Sequence, residues 1–214
     1  MRIVLAFAIA YLLGSVLPAE MFASARGVDI RAVGTGNPGA TNALQQLGLV
    51  PGIVTGLYDG SVGLLSIFLA SKLGVLAGWT YVAGLFAVLG HRYPLFSRFR
   101  GGQGMAATTG MLLWTMALGL HEGWLTATGI ALLGVVAVAV FALTRSATDV
   151  GVFVVPVLAA EVILGRPDWQ LGVFALALAA HIWFVQLSIA REQHLFRLAE
   201  PVKARLARLH ESSR

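Results

Sequence analysis

The 214-residue chain has no cysteine, so no disulfide, catalytic thiolate or cysteine-based metal site can be drawn from it. Charge is almost as scarce. Asp, Glu, Lys and Arg make up 12% of the residues, where a soluble domain carries about a quarter, and hydrophobic residues reach 57%. Mean hydropathy is +0.81. These shortages exclude an ordinary water-soluble domain and call for an all-α integral membrane protein whose length suits one compact bundle. Metal-ligand spacing, a redox motif, a serine–histidine–acid arrangement and an internal repeat are also missing. Net charge is +5 and the pI is about 10.2. In a membrane protein that excess marks cytoplasmic loops rather than nucleic-acid binding. The apolar run behind Arg2 is followed by no small-x-small cleavage site with a polar mature domain, so it reads as a retained first helix.

A membrane-crossing helix needs about 20 apolar residues. Seven candidate spans follow, at about 3–23, 48–70, 75–90, 105–120, 124–143, 150–164 and 171–190. With seven spans, loops one, three and five and the C-terminal segment share one side and carry 12 of the 15 basic residues. Arg2, Lys72 and Arg166 are left for the other side. The positive-inside rule then places the N-terminus outside and the C-terminus in the cytoplasm of a multi-pass inner-membrane protein. Residues 1–190 form the membrane domain. Residues 191–214 form a basic amphipathic tail, with Leu195, Leu198, Val202, Leu206 and Leu209 on one stripe and Arg197, Lys203, Arg205 and Arg208 between them. In the second span Gly48, Gly52, Gly56 and Gly60 recur every four residues, which predicts close approach by a neighbouring helix.

Two loops on the basic face stand apart from the apolar background. Gly34-Thr35-Gly36-Asn37-Pro38-Gly39-Ala40-Thr41-Asn42 packs three glycines, two threonines and two asparagines into nine residues. Such a turn folds tightly and can aim its amides at an anion. Thr35, Asn37 and Asn42 add polar groups at close range. The second loop runs from His91 through Arg98 and Arg100 to Gly101-Gly102-Gln103-Gly104 and opens a helix. A glycine turn at a helix N-terminus, with two arginines beside it, suits a phosphate ester. It lacks the Lys-Ser or Lys-Thr pair of a nucleotide P-loop and the downstream acid of a dinucleotide fold. A third polar break, Thr144-Arg145-Ser146-Ala147-Thr148-Asp149, lands on the same face. His91 is a candidate base or orienting donor. Asp59, Glu161 and His181 are ionisable groups inside apolar segments. A structural hydrogen-bonding role is expected for Asp59. As a path, the three would instead suit a small transporter of an anionic metabolite, but the polar motifs sit in loops and no repeated half is visible.

The segment from Asp29 to Asn42 resembles the first motif of the bacterial acyl-phosphate:glycerol-3-phosphate acyltransferases, the PlsY family. Gly90-His91-Arg92-Tyr93-Pro94, continuing to Phe99-Arg100-Gly101-Gly102-Gln103-Gly104, resembles the second, and Thr144-Arg145 with Thr148 a shorter block. The resemblance implies a seven-helix bundle whose cytosol-facing site transfers a fatty acyl chain from acyl phosphate to the 1-hydroxyl of glycerol 3-phosphate, giving lysophosphatidic acid. The partners are these two substrates and membrane lipids, with no cofactor. It places Arg31, Gly34, Thr35, Gly36, Asn37, Gly39 and Asn42 around one phosphate. Arg98, Arg100, Gly101, Gly102, Gln103 and Gly104 surround the other, and Arg145 and Thr148 close the site. Thr35, Asn37, His91 and Arg145 would act most directly in catalysis. The chain departs from the family pattern in charge. Ala32, Gln103 and Val62 stand where lysine is usual, Gln45 where arginine is, and Thr35 and Thr148 where serine is. Arg191 and His194 align with the family's His-x-x-Asn motif. A divergent acyltransferase and a paralogue that binds lipid or a partner without turnover both fit these departures.

Overall fold

The structure, a computed structural model, describes residues 1–123, 125–144, 147–165, 169–185 and 187–188. Among them the chain forms α-helices and one 3-10 turn, without strands. The helices are α1 (Arg2–Gly14), α2 (Pro18–Ser24), α3 (Ala40–Leu47), α4 (Leu49–Lys72), α5 (Ala77–Arg92), α6 (Met105–Glu122), α7 (Ala127–Thr144) and α8 (Ala147–Gly165). The last, α9, is Trp169–Val185. The 3-10 turn is Leu95–Ser97. Arg145 and the expected tail at 191–214 lie outside the described residues.

Each expected span finds a helix, with one correction at the start. The run at 3–23 is broken into α1 and α2, which meet at 43°. Pro18 is the cause. It opens α2, supplies no N–H to continue α1, and pushes Leu17 before it into an extended conformation (φ −116°, ψ 94°). Among the described residues α4 alone is long and apolar enough to cross a membrane by itself, and the bent α1–α2 pair makes a second such unit.

The larger correction is α3. The stretch from 24 to 47 reads as a polar loop, yet its last eight residues are helical. Ala43 is buried on this short helix, Leu44 lies along α4 with its outer side exposed, and Gly48, at φ +98°, lets the chain reverse directly into α4. The glycine row on α4 is what receives it. A Cβ at Gly52 would lie 2.6 Å from the Leu44 Cβ, and one at Gly56 3.4 Å from the Ala40 Cβ. Further along, a Cβ at Gly110 of α6 would run into the carbonyl oxygen of Gly60. The predicted close approach is therefore present, and it serves two neighbours, one of them hidden inside the polar loop.

α4 is the hub, packing against α1, α3, α5 and α6. α1 crosses α5, and α7 pairs with α8. In lipid such contacts depend on van der Waals fit rather than exclusion of water. Met111 is fully buried between Gly63 and Gly84, and Tyr81 joins Trp114 and Phe174 at ring distances of 5.6 and 5.5 Å. Large apolar side chains such as Leu57 and Phe68 on α4, and Val135 and Val138 on α7, are exposed on the outside, as a lipid-facing surface requires.

Candidate active site

The first glycine loop is folded around one side chain. Asn42, in the first turn of α3, is 1% exposed and every arm of its amide is engaged. Its Oδ1 accepts the Thr35 N–H at 3.0 Å, and its Nδ2 donates to the carbonyls of Ile30 and Val33 at 3.0 and 3.1 Å. Gly34, at φ +57°, lies against the same amide, where a Cβ would collide with Oδ1. Asn42 and Gly34 thus shape the loop. Gly36 makes the turn at φ +70°, and the exposed Thr35 accepts the Asn37 N–H on its hydroxyl at 3.4 Å.

The two loops are tied at two points. Asn37 Oδ1 accepts the Gln103 N–H at 3.2 Å. Glu20, in the first turn of α2, makes an ion pair with Arg31 at 3.1 Å and accepts the Ser97 hydroxyl on the same oxygen. Arg31 also donates to the Arg100 carbonyl. Arg31 is therefore a clamp between the loops.

The second loop is folded against the end of α5. Gly102 N–H donates to the His91 carbonyl at 3.1 Å. A Cβ at Gly101 would meet that carbonyl, and one at Gly102 would lie 2.5 Å from His91 Nε2. Gly104, at φ +72°, caps α6, and His181 of α9 donates through Nε2 to the Gln103 carbonyl at 3.1 Å. Arg98 and Phe99 adopt the left-handed conformation (φ 53° and 61°), uncommon for side chains of this size.

Between the loops lies a half-open cavity of about 300 Å3. One wall is Asn37, Gly39, Ala40 and Thr41, and the opposite contribution is Gln103, Gly104, Met105 and Ala106. Thr109 follows on α6, and Asp59 and His91 complete the lining. The N-termini of α3 and α6 both open here, and neither carries a side-chain cap. Free first-turn amides and two helix dipoles make this an anion-attracting site. Asp59 Oδ1 and His91 Nδ1 stand 3.6 Å apart. Among the described residues, no Lys or Arg lines the cavity.

An apolar groove of about 700 Å3 runs from it along α4 and α6. The two spaces share Ala106 and Thr109. Gly56, Gly60 and Gly110 leave part of the groove free of side chains, and Leu57, Leu113 and Trp114 wall it.

Of the expected site residues, Asn37, Gly39, His91, Gln103 and Gly104 meet at the cavity. Gly34, Thr35, Gly36, Asn42, Gly101 and Gly102 lie behind it in the loops that form it, and Arg31, Arg98 and Arg100 are not in its lining. Thr148 is in the first turn of α8. Sequence reasoning missed Thr41, Thr109 and the Glu20 clamp, and it gave Asp59 no place in the site. Glu20 carried one usable signal, an acid directly after the Pro18 break. Glu161 lies elsewhere, against Gly129 in the first turn of α7.

Residues 4–197 match the family model described as glycerol-3-phosphate acyltransferase. Glycerol-3-phosphate acyltransferase 1 of Deinococcus radiodurans is 36% identical over 183 residues, covering 84% of this chain and 86% of that protein. Glycerol-3-phosphate acyltransferase of Thermus thermophilus is 35% identical over 207 residues, covering 92% and 96%. The crystal structure of PlsY, an integral membrane glycerol 3-phosphate acyltransferase, in its glycerol 3-phosphate form superposes with a TM-score of 0.70 at 25% identity, over 92% of this chain and 94% of that one. A match of this extent, over both glycine loops and the helices that carry them, makes the chain a member of the glycerol-3-phosphate acyltransferase family.

Proposed function

We propose that the protein is a membrane acyltransferase of phospholipid synthesis, moving a fatty acyl group from acyl phosphate to the 1-hydroxyl of glycerol 3-phosphate to give lysophosphatidic acid. The observation that carries this reading is the meeting of two uncapped helix N-termini at a polar cavity that opens into an apolar groove. The acyl chain lies in the α4–α6 groove, and the phosphate groups sit against the first-turn amides of α3 and α6. The acceptor hydroxyl attacks the acyl carbonyl, its oxygen bonds to the acyl carbon, the acyl–phosphate C–O bond breaks, and the departing phosphate takes up the hydroxyl proton. Because acyl phosphate is already activated, no covalent enzyme intermediate is needed, and catalysis is positioning plus charge stabilisation. Asn37, Gly39, Gln103 and Gly104 present the phosphate pocket, and His91 orients the acceptor. Arg98 and Arg100 draw anions toward the loop from outside the lining, and Arg145 and Thr148 close the site from the α7–α8 side.

In this reading the chain crosses the membrane seven times, counting α1–α2 as one broken span, with its N-terminus outside. The glycine loops, the Arg145 break and the tail at 191–214 face the cytoplasm, with the tail on the inner leaflet.

One observation favours a second reading. The described cavity lining offers dipoles and no cation, and Gln103 occupies the position where the family resemblance leads one to expect lysine. A relative that binds lipid phosphate without turnover has this character. The discriminating assay is glycerol-3-phosphate-dependent phosphate release from acyl phosphate by purified protein. Release that scales with acceptor supports the acyltransferase. Tight binding by a folded sample with no release at any acceptor concentration selects the second reading.

A further inference from the structure

The floor of the cavity holds two polar side chains that the fold leaves incomplete. Asp59, on α4, is 1% exposed, and His91, in the last turn of α5, is 3% exposed. Asp59 Oδ1 and His91 Nδ1 face each other at 3.6 Å, and neither atom has a hydrogen-bond partner. The hydroxyl of Thr55, one turn earlier on α4, is buried and unpartnered as well. Buried polar groups are almost always paired, so an unpaired set at the floor of a cavity points to a group that arrives with the ligand. Both side chains also line the cavity, so one such group can reach the pair.

The chemistry of that group is narrow. A carboxylate only accepts, while an imidazole offers an N–H. A hydroxyl satisfies both, donating to Asp59 and accepting from His91. A phosphate could accept from His91 but has nothing to donate to Asp59, and its charge is repelled by the carboxylate. The phosphate is thus directed to the N-termini of α3 and α6, on the other walls of the same cavity.

Position separates the two hydroxyls of the acceptor. The acylated one must reach the acyl carbonyl, which enters from the groove at the shared wall of Ala106 and Thr109. Asp59 and His91 line the cavity and not the groove. We infer that Asp59 and His91 form the polyol end of the acceptor site and hold the glycerol hydroxyl that is not acylated. This inference rests on the acyltransferase reading and adds to it a source of acceptor specificity.

The test compares glycerol 3-phosphate with 3-hydroxypropyl phosphate, the same molecule without its middle hydroxyl, using the full chain in detergent or nanodiscs. The unsubstituted protein should favour glycerol 3-phosphate by at least about tenfold in kcat/KM, because a site built for a hydroxyl discriminates against the analogue lacking it. Calorimetric titration should show the same preference in affinity, independently of turnover. Asp59→Leu should erase the preference. Asp59→Asn, which keeps the shape and an acceptor but not the charge, should reduce it and covers the case in which the leucine variant fails to fold. Equal use and equal binding of the two acceptors by the unsubstituted protein overturns the inference alone. So does a folded Asp59 variant that keeps the full preference. Failure of glycerol 3-phosphate both to bind and to accept acyl groups overturns the acyltransferase reading and this inference with it.

Discussion

Asn42 and the Asp59–His91 pair are almost equally buried and border the same site, yet the fold treats them in opposite ways. Asn42 has a backbone partner for each arm of its amide, all at 3.0–3.1 Å. Asp59 Oδ1 and His91 Nδ1 approach one another at 3.6 Å, and neither has a hydrogen-bond partner. The difference separates scaffold from recognition. A polar group satisfied by its own chain is closed to a ligand, while one left short is held ready for it. Sequence treats these residues in the reverse order, since Asn42 belongs to a specific motif and Asp59 is a lone acid in an apolar helix.

The strongest way to break this contrast is Asn42→Ala. Losing its three bonds and stranding buried backbone groups should destabilise the protein by about 3 kcal/mol, on the usual scale of about 1 kcal/mol per bond. Thermal or denaturant unfolding in detergent measures it. Unchanged stability with lost activity would make Asn42 a ligand-contacting residue and remove the distinction. Gln103→Lys comes next. Placing a cation beside the N-terminus of α6 should tighten phosphate binding by up to about tenfold, read by calorimetry with glycerol 3-phosphate. An unchanged affinity means that this side chain does not face a phosphate.

Glu20→Gln should weaken the loop clamp by about 1 kcal/mol or less, since the Glu20–Arg31 pair is roughly a quarter exposed. The released Arg31 should make the loops easier to cleave by limited proteolysis, and an unaltered cleavage rate would show that the Asn37–Gln103 bond suffices. The smallest stability effect belongs to Asp59→Asn, within about 1 kcal/mol of the parent, because Asp59 Oδ1 has no hydrogen bond to lose. A loss comparable to that of Asn42→Ala would place Asp59 in the scaffold.

Much of the fold was legible in the order of residues. Apolar runs located the helices because a bilayer admits few other solutions, and the glycine row on α4 announced a close neighbour because nothing else lets two backbones approach so nearly. The two glycine loops declared themselves by their polarity in an apolar chain. The bend at Pro18 was readable in principle, since proline cannot continue α1, but a continuous apolar run concealed it. α3 was harder to read. Ala40, Ala43, Leu44 and Leu47 do recur at helical spacing, but eight residues behind a glycine-rich run are too short for that pattern to stand out, and its partners, Gly52 and Gly56, are brought to it only by the turn at Gly48. Arg31 shows the same limit for charge. A guanidinium beside a glycine loop reads as a phosphate ligand until Glu20, 11 residues away, is seen to engage it.

The sequence by itself determined that this is a helical membrane protein of the glycerol-3-phosphate acyltransferase family, with two polar glycine-rich loops in an apolar chain. Those properties follow from composition, run length and local motifs, which are carried by neighbouring residues. Tertiary structure alone decided which polar groups are closed and which are open. That depends on distances between α2 and the loops, between α4 and α5, and between α9 and Gln103, and these are set by packing rather than by separation along the chain.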